Sequence, residues 1–499
     1  MRKAFGFLMV FLMLLAISPA AKAETTGVAM TKQWVIKFSQ PVDPTTVNSK
    51  TVYVFNESAP NNRVSIEYAF RNDNQHIVVI PNGTYRQGNS YQLVVTDAVK
   101  SAKGKSLKAG QTKKFTVENG CDALKQAAPS DDYVIQISAN GAPVHLGACT
   151  TQNGVSHSFN YSYSSSVDGA YFYYAGESAG YYFIDVNGQT MAVDKSLSKK
   201  MASKTISYYE LKNGKFYHYV LNKAGKFEAI DSLVWPEFIE ENKTYYSRDG
   251  VTFTDKTGKV VGTAYNYFQH ISIRTKSNYT AAELNSYMKE TFPSDSVMHG
   301  MGEALIAAQE KYHLNAMFMM AFAAHESSSG TNGHAKLRNN IYSLGIHDVK
   351  PDLTPYPSVA DNLNKASEHI IAQYLTAGGT YSNGATLGNK AHGLNVKYAT
   401  DPYWGEGLAK WMNRMDAHLG GKDKFAYDLG IIDSEYNFLN IRDESLSNAF
   451  PYKHVPSNGR GVTIIGERGT YYELIGDYGL TPGKVYGTKQ YIVDGVKAY

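Results

Sequence analysis

Alternation of apolar and polar positions governs the first half of the chain. Gln33-Trp34-Val35-Ile36-Lys37-Phe38, Thr51-Val52-Tyr53-Val54-Phe55, His76-Ile77-Val78-Val79-Ile80 and Tyr91-Gln92-Leu93-Val94-Val95 are short runs of period two, separated by Pro, Asn, Asp and Gly. Such runs predict a small β-sandwich over 24–119. Strand-like text continues through 120–261, with turn signals at Asn140-Gly141, Asp168-Gly169, Asn187-Gly188, Asn213-Gly214 and Asp249-Gly250, and predicts a second β-rich region built of hairpins. Near Ser277 the period becomes helical. Thr280-Ala281-Ala282-Glu283 reads as a capping box, with Thr280 as the cap and Glu283 reaching back. Apolar residues at i, i+3 and i+4 then predict helices over 301–312, 315–326, 359–375 and 405–419, so 262–421 is expected to be one helical domain. After Gly420-Gly421 short strands return at Asn440-Ile441-Arg442, Val462-Thr463-Ile464-Ile465-Gly466-Glu467, Tyr471-Tyr472-Glu473-Leu474-Ile475 and Lys489-Gln490-Tyr491-Ile492, which predicts a small β-barrel over 422–499.

The N-terminus changes the compartment. Arg2 and Lys3 precede an apolar run over 4–17 and a small-residue stretch that ends Ala21-Lys22-Ala23, the pattern of a secretory signal peptide over 1–23. The run is shorter than the roughly 20 residues that span a bilayer, and no later segment is long and apolar enough, so no membrane span is expected once the leader is removed. The two cysteines, Cys121 and Cys149, are compatible with one disulfide in an oxidising compartment or with a free pair. No Cys/His spacing resembles a zinc site, and no cofactor is expected.

Charge and composition narrow the partners. With 49 Lys+Arg against 45 Asp+Glu, no dense basic stripe points to nucleic acid. A mildly basic chain is suited to screened attraction by anionic wall polymers. The 38 Tyr and 21 Phe against 4 Trp permit stacking on sugar rings, although strand packing alone favours the same residues.

The chemistry concentrates in Phe322-Ala323-Ala324-His325-Glu326-Ser327-Ser328-Ser329-Gly330-Thr331 and, downstream, Asn339-Asn340-Ile341-Tyr342-Ser343-Leu344-Gly345-Ile346. An apolar helix that ends in a carboxylate sets that group against apolar surface, and desolvation raises its pKa. A carboxyl kept protonated near neutral pH is what donation to a leaving glycosidic oxygen requires. His325 and Glu326, adjacent on a helix, point about 100° apart, which gives His325 a supporting or core role. A zinc-protease H-E-x-x-H fails because the last position is Ser329.

These segments resemble glycoside hydrolase family 73, the endo-β-N-acetylglucosaminidases, a lysozyme-like family in which an E-S-x-x-G-T segment carries the acid and N-N-[IL]-[FY] follows. The resemblance extends from Thr263-Ala264-Tyr265-Asn266-Tyr267-Phe268-Gln269 through Ser382-Asn383-Gly384 and Leu387-Gly388-Asn389-Lys390 to Gly393-Leu394-Asn395-Val396-Lys397-Tyr398-Ala399-Thr400-Asp401-Pro402-Tyr403-Trp404-Gly405, and is similar to the glucosaminidases secreted by Gram-positive bacilli. It implies Glu326 as general acid and Tyr398 as an active-site tyrosine. Asn339, Asn340 and Tyr342 would belong to the cleft wall, and Tyr403 and Trp404 would offer stacking surface. Each of these is also plausible as scaffold, the reading favoured for Asn339. The second acid would lie on a mobile lobe, where Asp348, Asp352 and Asp361 are available and Asp348, after Gly345-Ile346-His347, is preferred. The alternative nucleophile is the substrate's own 2-acetamido group.

Two further resemblances frame this domain. Ile36-Lys37-Phe38-Ser39-Gln40-Pro41-Val42-Asp43-Pro44 is similar to the bacterial Ig-like domain, and the strands after Asn440 resemble the bacterial SH3-like repeat that docks hydrolases on peptidoglycan. The expectation is a multidomain, secreted, wall-associated endo-β-N-acetylglucosaminidase acting on peptidoglycan glycan strands. A muramidase or lytic transglycosylase on the same fold, or a non-catalytic wall-binding protein, is the alternative.

Overall fold

The computed structural model describes residues 24–499 apart from 83, 84, 87, 119–131, 142, 143, 153, 154, 165, 166, 347–352, 378, 380, 437 and 447–456, with the backbone alone at 149–152 and 155–164. The expected leader, Cys121, Asp348 and Asp352 lie outside these residues, as does the side chain of Cys149. The chain divides into two compact units. One holds the described residues up to Thr150 with Ser158–Ile184 and Thr190–Ser203; the other holds Thr151–His157, Asp185–Gln189 and Lys204–Tyr499.

In the first unit a five-stranded sheet runs in the order Thr25–Val28, Gln111–Val117, Ser90–Val95, Val52–Asn56, Ala59–Arg63, and a three-stranded sheet in the order Trp34–Lys37, His76–Pro81, Ile66–Arg71. The alternation read from the sequence sends Val52, Val54, Leu93, Val95 and Phe115 from one sheet and Ile36, Ile77 and Val79 from the other into a common buried core, the packing of a β-sandwich. A seven-stranded sheet follows, in the order Val155–Ser164, His145–Gln152, Gln189–Asp194, Tyr181–Val186, Tyr171–Glu177, Tyr133–Ile137, Ser198–Ala202. Asn140-Gly141, Asn187-Gly188 and Asn213-Gly214 all take positive φ at both residues, the backbone of the tight hairpin turns that these dipeptides favour.

The second unit holds the helices. They are α1 (Tyr267–His270), α2 (Ala281–Thr291), α3 (Gly302–Tyr312), α4 (Ala316–Ser327), α5 (Gly333–Arg338), α6 (Val359–Tyr374) and α7 (Trp404–His418). The capping box forms: Thr280 Oγ1 accepts from Glu283 N at 3.3 Å and Glu283 Oε2 accepts from Thr280 N at 2.9 Å. Helix α4, Ala-Met-Phe-Met-Met-Ala-Phe-Ala-Ala, is apolar on every side and buried from Ala316 to Ala324, so it becomes the centre of the helical core rather than a surface helix. The short α1 and α5 are not visible as periodic runs in the sequence.

Two larger sheets flank the helices, beside a two-stranded one of Thr252–Thr254 and Val260–Thr263. One has the order Phe227–Ser232, Lys215–Leu221, Ser207–Lys212, Thr244–Tyr245 and is tied to α7 by Asp231, which pairs with Lys410 and Arg414. The other has the order Lys484–Thr488, Tyr471–Ile475, Gly461–Arg468, Asp428–Ile432, Ile492–Val493. Among the described residues this sheet is open, because its two edge strands do not pair with each other. Two expected strands change character here. Lys489–Tyr491 is a 3-10 turn, and Arg442 contributes a single bridge to Tyr486; both segments are too short for alternation to fix their geometry. The sheet is hydrogen-bonded into the helical part. Ser272 N donates to Thr463 Oγ1 at 3.0 Å, Ala385 N to Asp477 Oδ1 at 3.1 Å, and Arg274 Nη2 to the Gly479 and Leu480 carbonyls at 2.9 and 2.8 Å. Asp477 also pairs with buried Arg460, whose guanidinium lies against Gly384.

Candidate active site

Glu326 occupies the last turn of α4, and the chain reverses immediately after it. Ser328, Ser329 and Gly330 are three consecutive left-handed residues, with φ of 52°, 55° and 79°. The reversal is held by Ser327, whose buried hydroxyl donates to Ala323 O at 2.5 Å and accepts from Gly330 N at 2.7 Å. Gly330 is required twice. Its φ is costly for other residues, and a Cβ there would stand 2.6 Å from Ser296 Oγ. The Glu326 carbonyl, left without a helical partner by the reversal, accepts from Asn332 Nδ2 at 3.0 Å and Ser343 Oγ at 3.3 Å. The residues around the acid in this segment therefore serve to fix where its side chain emerges.

That side chain meets an aromatic wall. Trp404 Nε1 donates to Glu326 Oε1 at 3.1 Å. Tyr398 stacks on Trp404 with ring centroids 4.5 Å apart and planes 28° apart. Phe322, one turn before Glu326, meets Tyr398, Trp404 and Tyr342 edge-on at 5.2, 5.8 and 5.0 Å, and Tyr374 lies 5.6 Å from Tyr398. Burial pushes the Glu326 carboxyl above the ordinary carboxylate range, and the Trp404 bond, which favours the ionised form, partly opposes it. The Tyr398 hydroxyl is pushed far up by burial and by the neighbouring Glu326 charge, so it enters any reaction as the neutral phenol. His325, expected in a supporting role, is lowered to about 4 by burial and faces α7, where a Cβ on Gly407 would stand 3.2 Å from its ring.

The other residues of interest are distributed unevenly. Trp404 is brought to the acid, but at 3% exposure its ring, packed on Tyr398 and Phe322, has little face left for a sugar, and its hydrogen bond goes to Glu326 itself. Tyr403, the next residue back, packs edge-on against His218 at 4.7 Å. Asn340 and Tyr342 are buried beneath the site and not on a cleft wall. The Asn340 amide holds the Leu344 backbone at both ends, at 2.9 and 3.1 Å, and Tyr342, fully buried, donates to Met319 O of α4 at 3.0 Å. Their contribution is to seat the 339–344 turn under α4. Asn339 is a left-handed cap on α5, with Nδ2 donating to Tyr356 O at 2.8 Å. Asp361 lies in the first turn of α6, where Ser358 Oγ caps its backbone N at 3.0 Å and donates to its Oδ2 at 2.7 Å.

Three residues were not singled out from the sequence. Phe322 and Tyr374 complete the aromatic wall, and Phe322 carried a signal in its spacing of four from Glu326. Lys390 is buried, and its Nζ donates to Asn395 O at 2.8 Å and to Ala399 O. It thereby clamps the loop that presents Tyr398, a loop also closed by Asn395 Nδ2 donating to Pro402 O at 2.9 Å. Burial lowers the Lys390 ammonium to about 7.

A second constellation imitates a catalytic triad. Ser207 Oγ lies 2.7 Å from His218 Nε2, and His218 Nδ1 lies 2.8 Å from Glu406 Oε2. Ser207 and His218 are 3% and 1% exposed, and Tyr209 stacks on the imidazole at 4.0 Å. No carbonyl substrate reaches that hydroxyl, so the group serves as a polar tie between the flanking sheet and the first turn of α7.

A raised carboxyl fixed at the end of an apolar helix, with a neutral tyrosine beside it, is the equipment of a general acid for glycoside cleavage. The comparisons with known proteins agree with that class. Residues 302–417 match the family model described as mannosyl-glycoprotein endo-beta-N-acetylglucosaminidase, and residues 12–117 match the bacterial Ig-like domain. Two curated relatives, both described as putative endo-beta-N-acetylglucosaminidases of Streptococcus pneumoniae, are 34% identical over 220 residues, or 44% of this chain. The chain spans only 31% and 29% of their lengths. Among solved structures, Staphylococcus aureus autolysin E in complex with the disaccharide NAG-NAM is similar at 17% identity and a TM-score of 0.25, over 32% of this chain and 76% of that one. The helical part of the chain thus carries a glycoside hydrolase domain of the glucosaminidase type.

Proposed function

We propose that the protein is a secreted peptidoglycan hydrolase that cleaves the β-1,4 bond following N-acetylglucosamine in the glycan strand, with Glu326 as general acid. The observation that carries this reading is the Glu326 carboxyl itself, held above its usual range by burial in the Phe322, Tyr398 and Trp404 wall and tethered by the Trp404 indole. A protonated carboxyl at this point delivers its proton to the leaving oxygen as the bond breaks. Tyr398, neutral and clamped through its loop by Lys390, positions the sugar or the attacking water. The second group is assigned to Asp348, which activates water or acts as nucleophile; if Asp348→Asn retains the wild-type rate, that role passes to the substrate's 2-acetamido group.

The flanking parts fit the same setting. The leader at 1–23 directs export, the Ig-like region over 24–119 acts as a spacer or contact module, and the strands of 422–499 act as an SH3-like wall-docking element, aided by anionic wall polymers. The mildly basic balance of the chain supports that docking.

The test combines two readouts on purified cell walls. Wild type is expected to release products with N-acetylglucosamine at the reducing end, identified by mass spectrometry, and Glu326→Gln is expected to release none. Reducing-end or anhydro muramic acid products would move the assignment to a muramidase or lytic transglycosylase. Lysis by Glu326→Gln at the wild-type rate would remove Glu326 from the mechanism.

A further inference from the structure

Away from Glu326, a cleft of about 340 Å³ opens between the segment 233–238 and the segments 424–425 and 497–499. Four of its twelve lining residues are aromatic, Trp235, Phe238, Phe425 and Tyr499, and most of the rest are aliphatic. Pockets that take small ligands begin near about 300 Å³, so one sugar residue with a substituent fits.

Phe425 is the unusual member. It is 57% exposed and left-handed at φ 61°, a conformation that costs a bulky residue of order 1–3 kcal/mol and persists only when the surroundings impose it. Here they impose it from both sides. Asp423 is fixed before it, with its backbone N donating to Asp416 Oδ1 at 2.9 Å and its Oδ1 accepting from Asn278 N at 2.6 Å. Tyr427 is fixed after it by a reciprocal pair with Tyr267, 3.0 Å from the phenol to Tyr427 O and 3.2 Å from Tyr427 N to the phenol. The Phe425 ring rests edge-on against Tyr267 at 5.0 Å, and its remaining surface is left to solvent. A large apolar ring held out in this way has no part in the core.

The rim is cationic. Lys424 and Lys497 line the cleft, with Glu237 as the single acidic side chain among the lining residues. Neither lysine forms an ion pair among the described residues, and Lys424 Nζ stands 5.0 Å from the Phe425 centroid. Aromatic faces carry partial negative charge and attract the weakly positive C–H faces of sugar rings; the ammonium groups beside them select an anion.

We propose that this cleft is an accessory subsite for an amino-sugar chain that bears carboxylates, namely the peptide-substituted glycan strand at a distance from the bond being cut. This rests on the peptidoglycan reading above and adds a second point of attachment to it. Two weak points on one strand raise affinity through effective concentration without any new contact at the acid.

The experiment uses the full chain carrying Glu326→Gln, so that binding is read without turnover. Soluble glycan strands with intact stem peptides, and neutral N-acetylglucosamine oligomers, are titrated by calorimetry. Phe425→Ala is expected to weaken binding of the peptide-bearing strands about tenfold, the loss of one well-placed aromatic anchor. Lys497→Glu, an exposed change that leaves the core untouched, is expected to weaken the peptide-bearing strands but not the neutral oligomers. The inference is overturned if both variants, melting as the parent does, bind the peptide-bearing strands as tightly as the parent. Wall hydrolysis by wild type is scored in parallel, so loss of the peptidoglycan reading and loss of this subsite are read from different columns of data.

Discussion

Replacing Trp404 by Phe removes one hydrogen bond and retains most of a ring stack. The indole Nε1 donates to Glu326 Oε1 at 3.1 Å, and a hydrogen bond to a charged group is worth about 1.5–3 kcal/mol. The bond favours the ionised carboxylate, opposing the burial that raises its pKa. Trp404→Phe therefore destabilises the ionised form, and the pKa rises further. A general acid works only while protonated, so the alkaline limb of kcat/KM against pH moves upward. The plateau falls by about tenfold or more, since a positioned acid contributes about 10²–10⁴ to the rate and Trp404 is the tether that positions it. The smaller ring leaves a void beside Tyr398 and costs about 1–3 kcal/mol of stability, which thermal melting reports separately. An alkaline limb that stays in place or moves down, in a variant that still melts cooperatively, refutes the account of how Glu326 is tuned.

Other consequences are open to direct measurement. Because burial raises the folded-state pKa of Glu326, the folded chain holds a proton that the unfolded chain has released, and stability is lost as pH rises through that window; Glu326→Gln should melt at or above the wild-type temperature at pH 7 while activity collapses, and a clearly lower melting temperature would argue against desolvation as the cause. Burial lowers His392 to about 3 and His270 to about 4 from 6.5, so unfolding takes up protons below pH 6.5; the denaturant midpoint should fall steadily as pH drops from 6.5 toward about 4, and less steeply in His392→Gln. Lys390→Met strands the Asn395 and Ala399 carbonyls, each worth about 1–3 kcal/mol when buried without a partner. Urea titration should show that loss, and kcat should fall through the loosened Tyr398 loop; a variant with unchanged stability and rate would release Lys390 from that role.

What the sequence disclosed follows the range of each interaction. Helix α4 and the Thr280 capping box depend on residues within a few positions of one another, and both were legible to within a residue or two. The strands of the sandwich were legible for the same reason, since each needs only its own alternation. The tether on Glu326 was not, because Trp404 lies 78 positions away and nothing in the tryptophan's neighbourhood says which face it turns to the acid. Trp404 was read as a surface for sugar, and Tyr342 and Asn340 as cleft wall, because a motif records which residues recur together and not which are buried. Lys390 stood in a quoted segment without a role, since a lysine reads as exposed until the carbonyls it serves are in place. In the last sheet, Asp428–Ile432 and Lys484–Thr488 escaped notice, and Lys489–Tyr491 was given to a strand, because strands this short are defined by their partners.

The hydrogen bonds from Ser272, Arg274 and Ala385 to the last sheet bear on how the protein is handled and how it has been assembled. A chain trimmed to residues 302–417, the span that the family model matches, would lose Ser272 and Arg274 outright and leave the Ala385 amide and the Leu375 carbonyl without the partners that residues 477 and 479 supply. It would also uncover the segment that Arg460 presses against at Gly384, a few residues before the loop bearing Tyr398. Cassette exchange at the double glycine after α7 would thus cut through a single cooperative body. A junction just upstream of residue 204 would do similar damage, because Asp185–Gln189 belongs to the same compact unit as the helices and Asn187 Nδ2 donates to Pro402 O at 2.7 Å, next to Tyr403 and Trp404.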